Sequence, residues 1–183
     1  MEAEKKRYDK IAVALHWVMA ICFLLMLTSG LAMEHFQLDK SFTFKLYQWH
    51  KSLGILLLIA FIIRILWRIT HKPPELPEKF PKLERKAAKA GHWALYLWML
   101  LLPLAGWAMV SSSVYGLPTI VFGWFKWPHI PGLEGNESIH EIAETAHAYF
   151  AYAFIALILG HIAAVIKHSL KDNENLLKRM WFK

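Results

Sequence analysis

Cysteine is almost missing from this chain: Cys22 stands alone among 183 residues, inside an apolar run. A single thiol cannot close an internal disulfide, hold an Fe–S cluster, build a Cys-rich zinc site or supply a C-x-x-C-H covalent haem attachment. Its expected role is packing. Charge is missing too, from four stretches of about 20 residues, the length that crosses roughly 30 Å of hydrocarbon. Absent as well is the alternation of polar and apolar positions over about ten-residue segments that a membrane barrel requires.

What remains is apolar: 56% of the residues are hydrophobic and the mean hydropathy is +0.31. The long runs cover 11–33, 46–66 (with Lys51 and Arg64 near its ends), 91–110 and 146–166. Helices satisfy their backbone groups internally, so these runs predict an all-α integral membrane four-helix bundle, one membrane domain over 1–183. The first run follows Lys5, Lys6, Arg7 and Lys10 as a signal peptide would. It is too long for an h-region, and no clear A-x-A site follows, so it is expected to be a retained span.

Orientation follows from the basic residues. Sixteen Lys and Arg lie in the N-terminal arm, the connection from Trp67 to Ala90 and the tail from Lys167, whereas the other two connections hold only Lys40, Lys45 and Lys126. The positive-inside rule therefore places both termini and the middle loop in the cytoplasm. The net charge of +7 is then mostly topology. No recognised nucleic-acid module accompanies it, so no nucleic-acid partner is expected, and the basic face would instead attract anionic lipid at roughly 1 kcal/mol per residue.

The connections carry their own signals. "HKPPELPEKFPKLERKAAKAG" opens with prolines that favour an extended chain and continues as a basic helical lead into the third span. The third connection is long and rich in Gly, Pro and aromatics; its Tyr115, Phe122, Trp124, Phe125 and Trp127 suit the headgroup region, as do Trp17, Trp49, Trp67 and Trp93 near the span ends. Pro103 and Gly106 permit a bend in the third span.

Of ten histidines, His35, His71, His129, His140 and His168 fall in connections or beyond span ends. The others, His16, His50, His92, His147 and His161, sit in or at the edge of apolar runs, where an ionisable side chain is costly and faces a bundle interior or a cavity. His147 and His161 are fourteen residues apart, just under four helical turns, so they share a face at depths about 21 Å apart. Depth read from the nearest flanking charge pairs His161 (six residues before Lys167) with His16 (six after Lys10) on the inner side. It pairs His50 (five after Lys45) with His147 (three after Glu144) on the outer side. His92, three residues after Lys89, reads as a shallower neighbour of the inner pair. Two pairs of neutral imidazoles joining opposite helices are what bis-histidine haem ligation needs. Gly160 beside His161, and Gly54 one turn beyond His50, would let a flat ring approach the backbone.

Several motifs together resemble the bacterial cytochrome b561 family: "ALHW" in the first span, "WHKSLG" opening the second, "GHWALYLWMLLLPLAGWAM" in the third, "GLPTIVFGWF" in the third connection, and the His147/His161 spacing. A more distant resemblance is to the membrane cytochrome b subunits of hydrogenases and formate dehydrogenases. The resemblance implies a multi-pass protein of the bacterial inner membrane with two haem b groups, His16 with His161 on the inner one and His50 with His147 on the outer. It also implies quinone chemistry, and for short stand-alone members the passage of electrons from superoxide to ubiquinone.

On that basis Lys40, Lys45, Lys51 and Lys126 are candidates to attract superoxide at the outer face, Arg64 and Arg68 to pair with inner haem propionates, and His92 and His168 to meet the quinone head. The quinone could equally sit at the outer haem. Two further readings stay open. The chain could be an electron-transfer subunit linking the quinone pool to a dehydrogenase or another redox partner protein, or a transporter or receptor using its histidines to bind zinc or copper.

Overall fold

The computed structural model describes residues 7–171 and 175–182; Lys5, Lys6 and Lys183, counted above among the basic residues, lie outside them. Four helices, α1 (Lys10–His35), α2 (Lys40–Thr70), α3 (Lys82–Ser112) and α4 (Glu137–Lys171), are each long and apolar enough to cross a membrane. Three of them start on side-chain acceptors that take up otherwise orphaned first-turn N–H groups. Asp9 Oδ1 accepts from Ala12 N–H at 2.9 Å, Asp39 Oδ1 from Ser41 and Phe42 N–H at 3.0 and 3.1 Å, and Asn136 Oδ1 from Ile139 N–H at 3.1 Å. The helices overrun the apolar stretches: α2 begins at Lys40 rather than 46, and α3 at Lys82 rather than 91. Outward faces carry exposed Val18, Ile21, Leu24, Ile63, Leu97 and Leu159, which suits hydrocarbon rather than water.

Packing divides the bundle into two close pairs, α1 with α2 and α3 with α4. Across the seam α2 and α3 also pack together, whereas α1 and α4 meet through side chains. Phe23 of α1 meets Phe154 of α4 with ring centres 5.0 Å apart, within a core of Met19, Phe23, Leu57, Phe61, Tyr96, Leu102 and Phe154. Phe154 is 2% exposed. It lies seven residues from both His147 and His161, so the helical period sets all three on one face of α4.

One end of the bundle gathers both chain termini. Tyr8 N–H donates to the Arg179 carbonyl (3.2 Å) and the Trp17 indole to the Met180 carbonyl (2.6 Å), which holds a short 3-10 helix, Leu176–Met180, against α1. At the other end the connection between α3 and α4 contains a hairpin of β1 (Thr119–Val121) and β2 (Phe125–Trp127), with Thr119 opposite Trp127. Its turn puts Phe122 at φ 47° and Gly123 at φ 79°, the left-handed pair a tight hairpin turn uses. Phe122 pays a steric penalty there as a residue with a Cβ. It is secured by its N–H donating to the buried Ser52 hydroxyl (3.2 Å) and by its ring meeting Trp49 at 5.2 Å. The hairpin is thus fastened to α2 two residues from His50.

Asp9 also accepts from the Trp67 indole at 3.0 Å, tying the start of α1 to the end of α2. Burial pushes the Asp9 carboxyl up, but the bonds from Ala12 N–H and the Trp67 indole outweigh it and hold it below its ordinary value. A depressed folded value means that this stabilisation is complete above the unfolded carboxyl range, about pH 4, and is lost as pH falls through the lower folded value. Asp9→Ala is therefore expected to cost about 1 kcal/mol of stability at pH 7. Unfolding of the detergent-solubilised protein should show that gap closing below about pH 4; a gap of constant size across the acid range would contradict the assignment.

Candidate functional site

At the hairpin end, His50 of α2 and His147 of α4 face each other across the seam with ring centres 6.3 Å apart and planes at 73°. Both rings are oriented from behind. His50 Nδ1 lies 2.9 Å from Ser29 Oγ on α1, and that hydroxyl is itself 2.9 Å from the Met26 carbonyl. A carbonyl only accepts, so Ser29 donates its proton to Met26 and receives Nδ1–H from His50. His147 Nδ1 lies 3.0 Å from the Leu102 carbonyl of α3 and must likewise be the protonated nitrogen. In both rings Nε2 is left with its lone pair.

His147 reaches that carbonyl because of Gly106. A Cβ at position 106 would stand 3.0 Å from His147 Cε1 and 3.1 Å from Nδ1, a tight contact that would make the ring give way by a few tenths of an ångström. Pro103, inside α3, removes the N–H that would bond the Met99 carbonyl and loosens the helix in the same turn.

At the termini end, His16 of α1 and His161 of α4 have ring centres 6.4 Å apart with planes at 61°. His92 of α3 is closer than the sequence suggests, 5.6 Å from His161. Lys89 lies inside α3, which begins at Lys82. Counted from Lys82 and from Lys171, His92 and His161 are each ten residues into their helices. A cavity of about 200 Å³ opens beside His16 and His92, lined also by Arg64, Arg68, Tyr96 and Met99 among others.

Arg64 holds an unusual position in this cavity. Its Nη2 is 3.5 Å from His16 Nδ1, at the limit of a hydrogen bond, while Nε and Nη1 are buried without partners. Its guanidinium lies 5.8 Å from the Tyr96 ring centre, and that of Arg68 lies 5.2 Å from the same ring. A buried cation with two idle donors calls for an anion.

These features fit haem. Two imidazole nitrogens each about 2 Å from one metal ion set their ring centres roughly 6 Å apart, which both pairs match. Two opposed ligands are too few for a protein-only zinc site, which takes three or four; among the described residues no group of three His, Cys, Asp or Glu gathers to hold a metal ion. They suit an iron whose other positions a macrocycle fills. Idle guanidinium donors in the inner cavity suit a propionate carboxylate.

Other expected site residues lie elsewhere or do less. Where a Gly54 Cβ would stand, only Met26 Cε comes near, at 3.5 Å, an ordinary contact, and at the exposed Gly160 nothing lies within 4 Å. The tightest packing on a glycine is that of the His147 ring on Gly106. His168 is not among the residues lining the inner cavity; it packs on Phe80 at 4.7 Å between ring centres, 3.8 Å from Glu84 Oε2. Lys51, beside His50, donates to the Pro118 carbonyl at 3.3 Å. Ser29, Gly106 and Tyr96 were missed; a lone serine and a glycine three residues after a proline within apolar spans were the available signals.

The sequence model described as "Prokaryotic cytochrome b561" matches residues 7–183. Among similar proteins, "Cytochrome b561 homolog 2" of Escherichia coli (strain K12) is 34% identical over 175 residues, covering 96% of this chain and 91% of that protein. "Probable superoxide oxidase CybB" of Yersinia pestis is 26% identical, covering 96% of each. "Cytochrome b561 homolog 1" of E. coli is 25% identical, covering 95% of this chain and 96% of that protein.

Gly106→Ala tests the outer geometry. The added methyl should displace the His147 ring and lower the haem content of the purified protein below that of the wild type, assayed as the pyridine haemochrome. Full haem content with an unchanged spectrum would show that the close approach is dispensable.

Proposed function

Because this chain belongs to the prokaryotic cytochrome b561 family, a family of membrane electron-transfer proteins, we propose that it is a di-haem b cytochrome of the bacterial inner membrane that oxidises superoxide outside and reduces ubiquinone. The observation that carries this reading is the pair of imidazole couples, at 6.3 and 6.4 Å, each spanning the seam of the bundle. His50 and His147 are the proposed ligands at the outer end, His16 and His161 at the inner end. Bound haem would supply one-electron chemistry at iron.

The chain's own residues do the rest. Ser29 and the Leu102 carbonyl hold the outer imidazoles in the tautomer that presents Nε2. Arg64 and Arg68 would take the inner propionates. Basic residues at the termini end set the orientation, with that end in the cytoplasm. Lys40, Lys45, Lys51 and Lys126 place positive charge at the outer end, where an anion such as superoxide would be attracted. Two superoxide anions would each lose one electron and leave as dioxygen; one ubiquinone would gain both electrons and two protons. His92, in the inner cavity, is the proposed contact of the quinone head. His168, beside Phe80 and Glu84, is the second proposed contact.

The alternative within the family is an electron-transfer subunit that serves a partner dehydrogenase or another redox protein. The 34%-identical relative is named as a cytochrome, which suits either reading.

Dithionite-reduced minus oxidised spectra with haem quantification test the ligand assignment. About two haems b per chain are expected, one lost on His50→Ala or His147→Ala and the other on His16→Ala or His161→Ala. A colourless wild-type protein would end the reading. Superoxide-driven reduction of ubiquinone by the isolated protein would support the enzyme; its absence, with a stoichiometric partner on purification, would favour the subunit.

A further inference from the structure

The two imidazole pairs have different neighbours behind them. Both outer rings give Nδ1–H to an acceptor: His50 to Ser29, which is anchored on Met26, and His147 to Leu102. Behind the inner pair stands a cation: Arg64 Nη2 is 3.5 Å from His16 Nδ1, and Arg64 and Arg68 both line the inner cavity. Among the described residues His161 has no hydrogen-bond partner for either ring nitrogen.

We propose that Ser29 is a positioning residue that lowers the reduction potential at the outer pair, so that the outer end is the lower-potential and the inner end the higher-potential of the two. The inference rests on the ligand assignment proposed above. An acceptor on Nδ1–H gives an imidazole more imidazolate character and makes Nε2 a stronger donor, which favours ferric over ferrous iron. The effect needs a hydroxyl whose lone pair is aimed at the ring. Ser29 provides this because its own proton is committed to Met26 and cannot turn toward His50.

At the inner end the sign reverses. A guanidinium close to the ligand disfavours the state with the greater positive charge and so favours ferrous iron. Propionates held by Arg64 and Arg68, which lie side by side over Tyr96, would offset part of this field, so the ordering of the two ends rests chiefly on the acceptors behind the outer rings. Electrons entering at the outer end would therefore come to rest at the inner one.

Potentiometric titration of the purified holoprotein, followed by its visible absorption, tests this with dithionite as reductant and ferricyanide as oxidant. Wild-type protein should resolve two one-electron components, and His147→Ala should remove the lower one. Ser29→Ala should keep two haems per chain, raise the lower component and leave the upper one in place; Ser29→Thr should restore the wild-type values. If Ser29→Ala does not retain the outer haem, Ser29→Cys, with a weaker acceptor of similar shape, should show the same upward shift. The inference is overturned if the lower component does not move in a variant that keeps both haems, if Ser29→Thr shifts as far as Ser29→Ala, or if His147→Ala removes the upper component. Each of those results leaves the ligand assignment standing, whereas a wild-type protein without haem removes both.

Discussion

An imidazole nitrogen with nothing to bind, held in a medium without water, is the constraint from which the rest of this structure follows. The facing rings of His50 and His147 present Nε2 atoms that have no hydrogen-bond partner among the described residues. The opposite nitrogens are satisfied with care, by Ser29 and by the Leu102 carbonyl. That half-satisfied state is what a metal-binding ring requires, since its second nitrogen must be tied for the first to be presented. Arg64, with two buried donors unpartnered, repeats the pattern with opposite sign. A bundle meant only to pack would have filled these positions with leucine.

The arrangement of helices answers the same requirement. Had all four packed with equal closeness, the seam would have no room for a flat cofactor. Instead α3–α4 and α1–α2 pack most closely, with α2 also against α3 and α1 apart from α4, and α4 brings His147, Phe154 and His161 to one face at seven-residue steps. Phe154 and Phe23 fill the middle of the seam, so its two ends are separate sites. On the proposed orientation an electron crossing from outside to inside moves against a membrane potential that is negative within, at about 2.3 kcal/mol per 100 mV for a full crossing. Two arginines at the inner end work against that cost, and acceptors behind the outer ligands tilt the balance the same way.

Much of this was legible in the residues. Four apolar runs had to be helices because hydrocarbon leaves backbone groups no other partner, and the fourteen-residue step between His147 and His161 forced two sites rather than one. Helix ends were less legible: α2 and α3 begin six and nine residues before their apolar runs, since polar residues remain helical where water and headgroups are within reach. That overrun is why His92 looked shallow when measured from Lys89. The three-residue strands were invisible because so short a segment has no period to detect. Gly106 was noticed only as a place to bend, and its function depends on which side chain of another helix leans against it. Gly160 adjoins His161 in sequence, which on a helix does not mean a shared face, and it is exposed; Gly54, one turn from His50, shares that residue's face.

The most direct measurement of the central claim is the distance between the two irons in the oxidised holoprotein, by pulsed electron paramagnetic resonance or an iron-edge anomalous difference map. Fourteen residues of helix predict about 21 Å between the two levels, with one iron at His50 and His147 and the other at His16 and His161. A single iron per chain, two irons much closer together, or an inner iron held by His92 in place of His16 would contradict it.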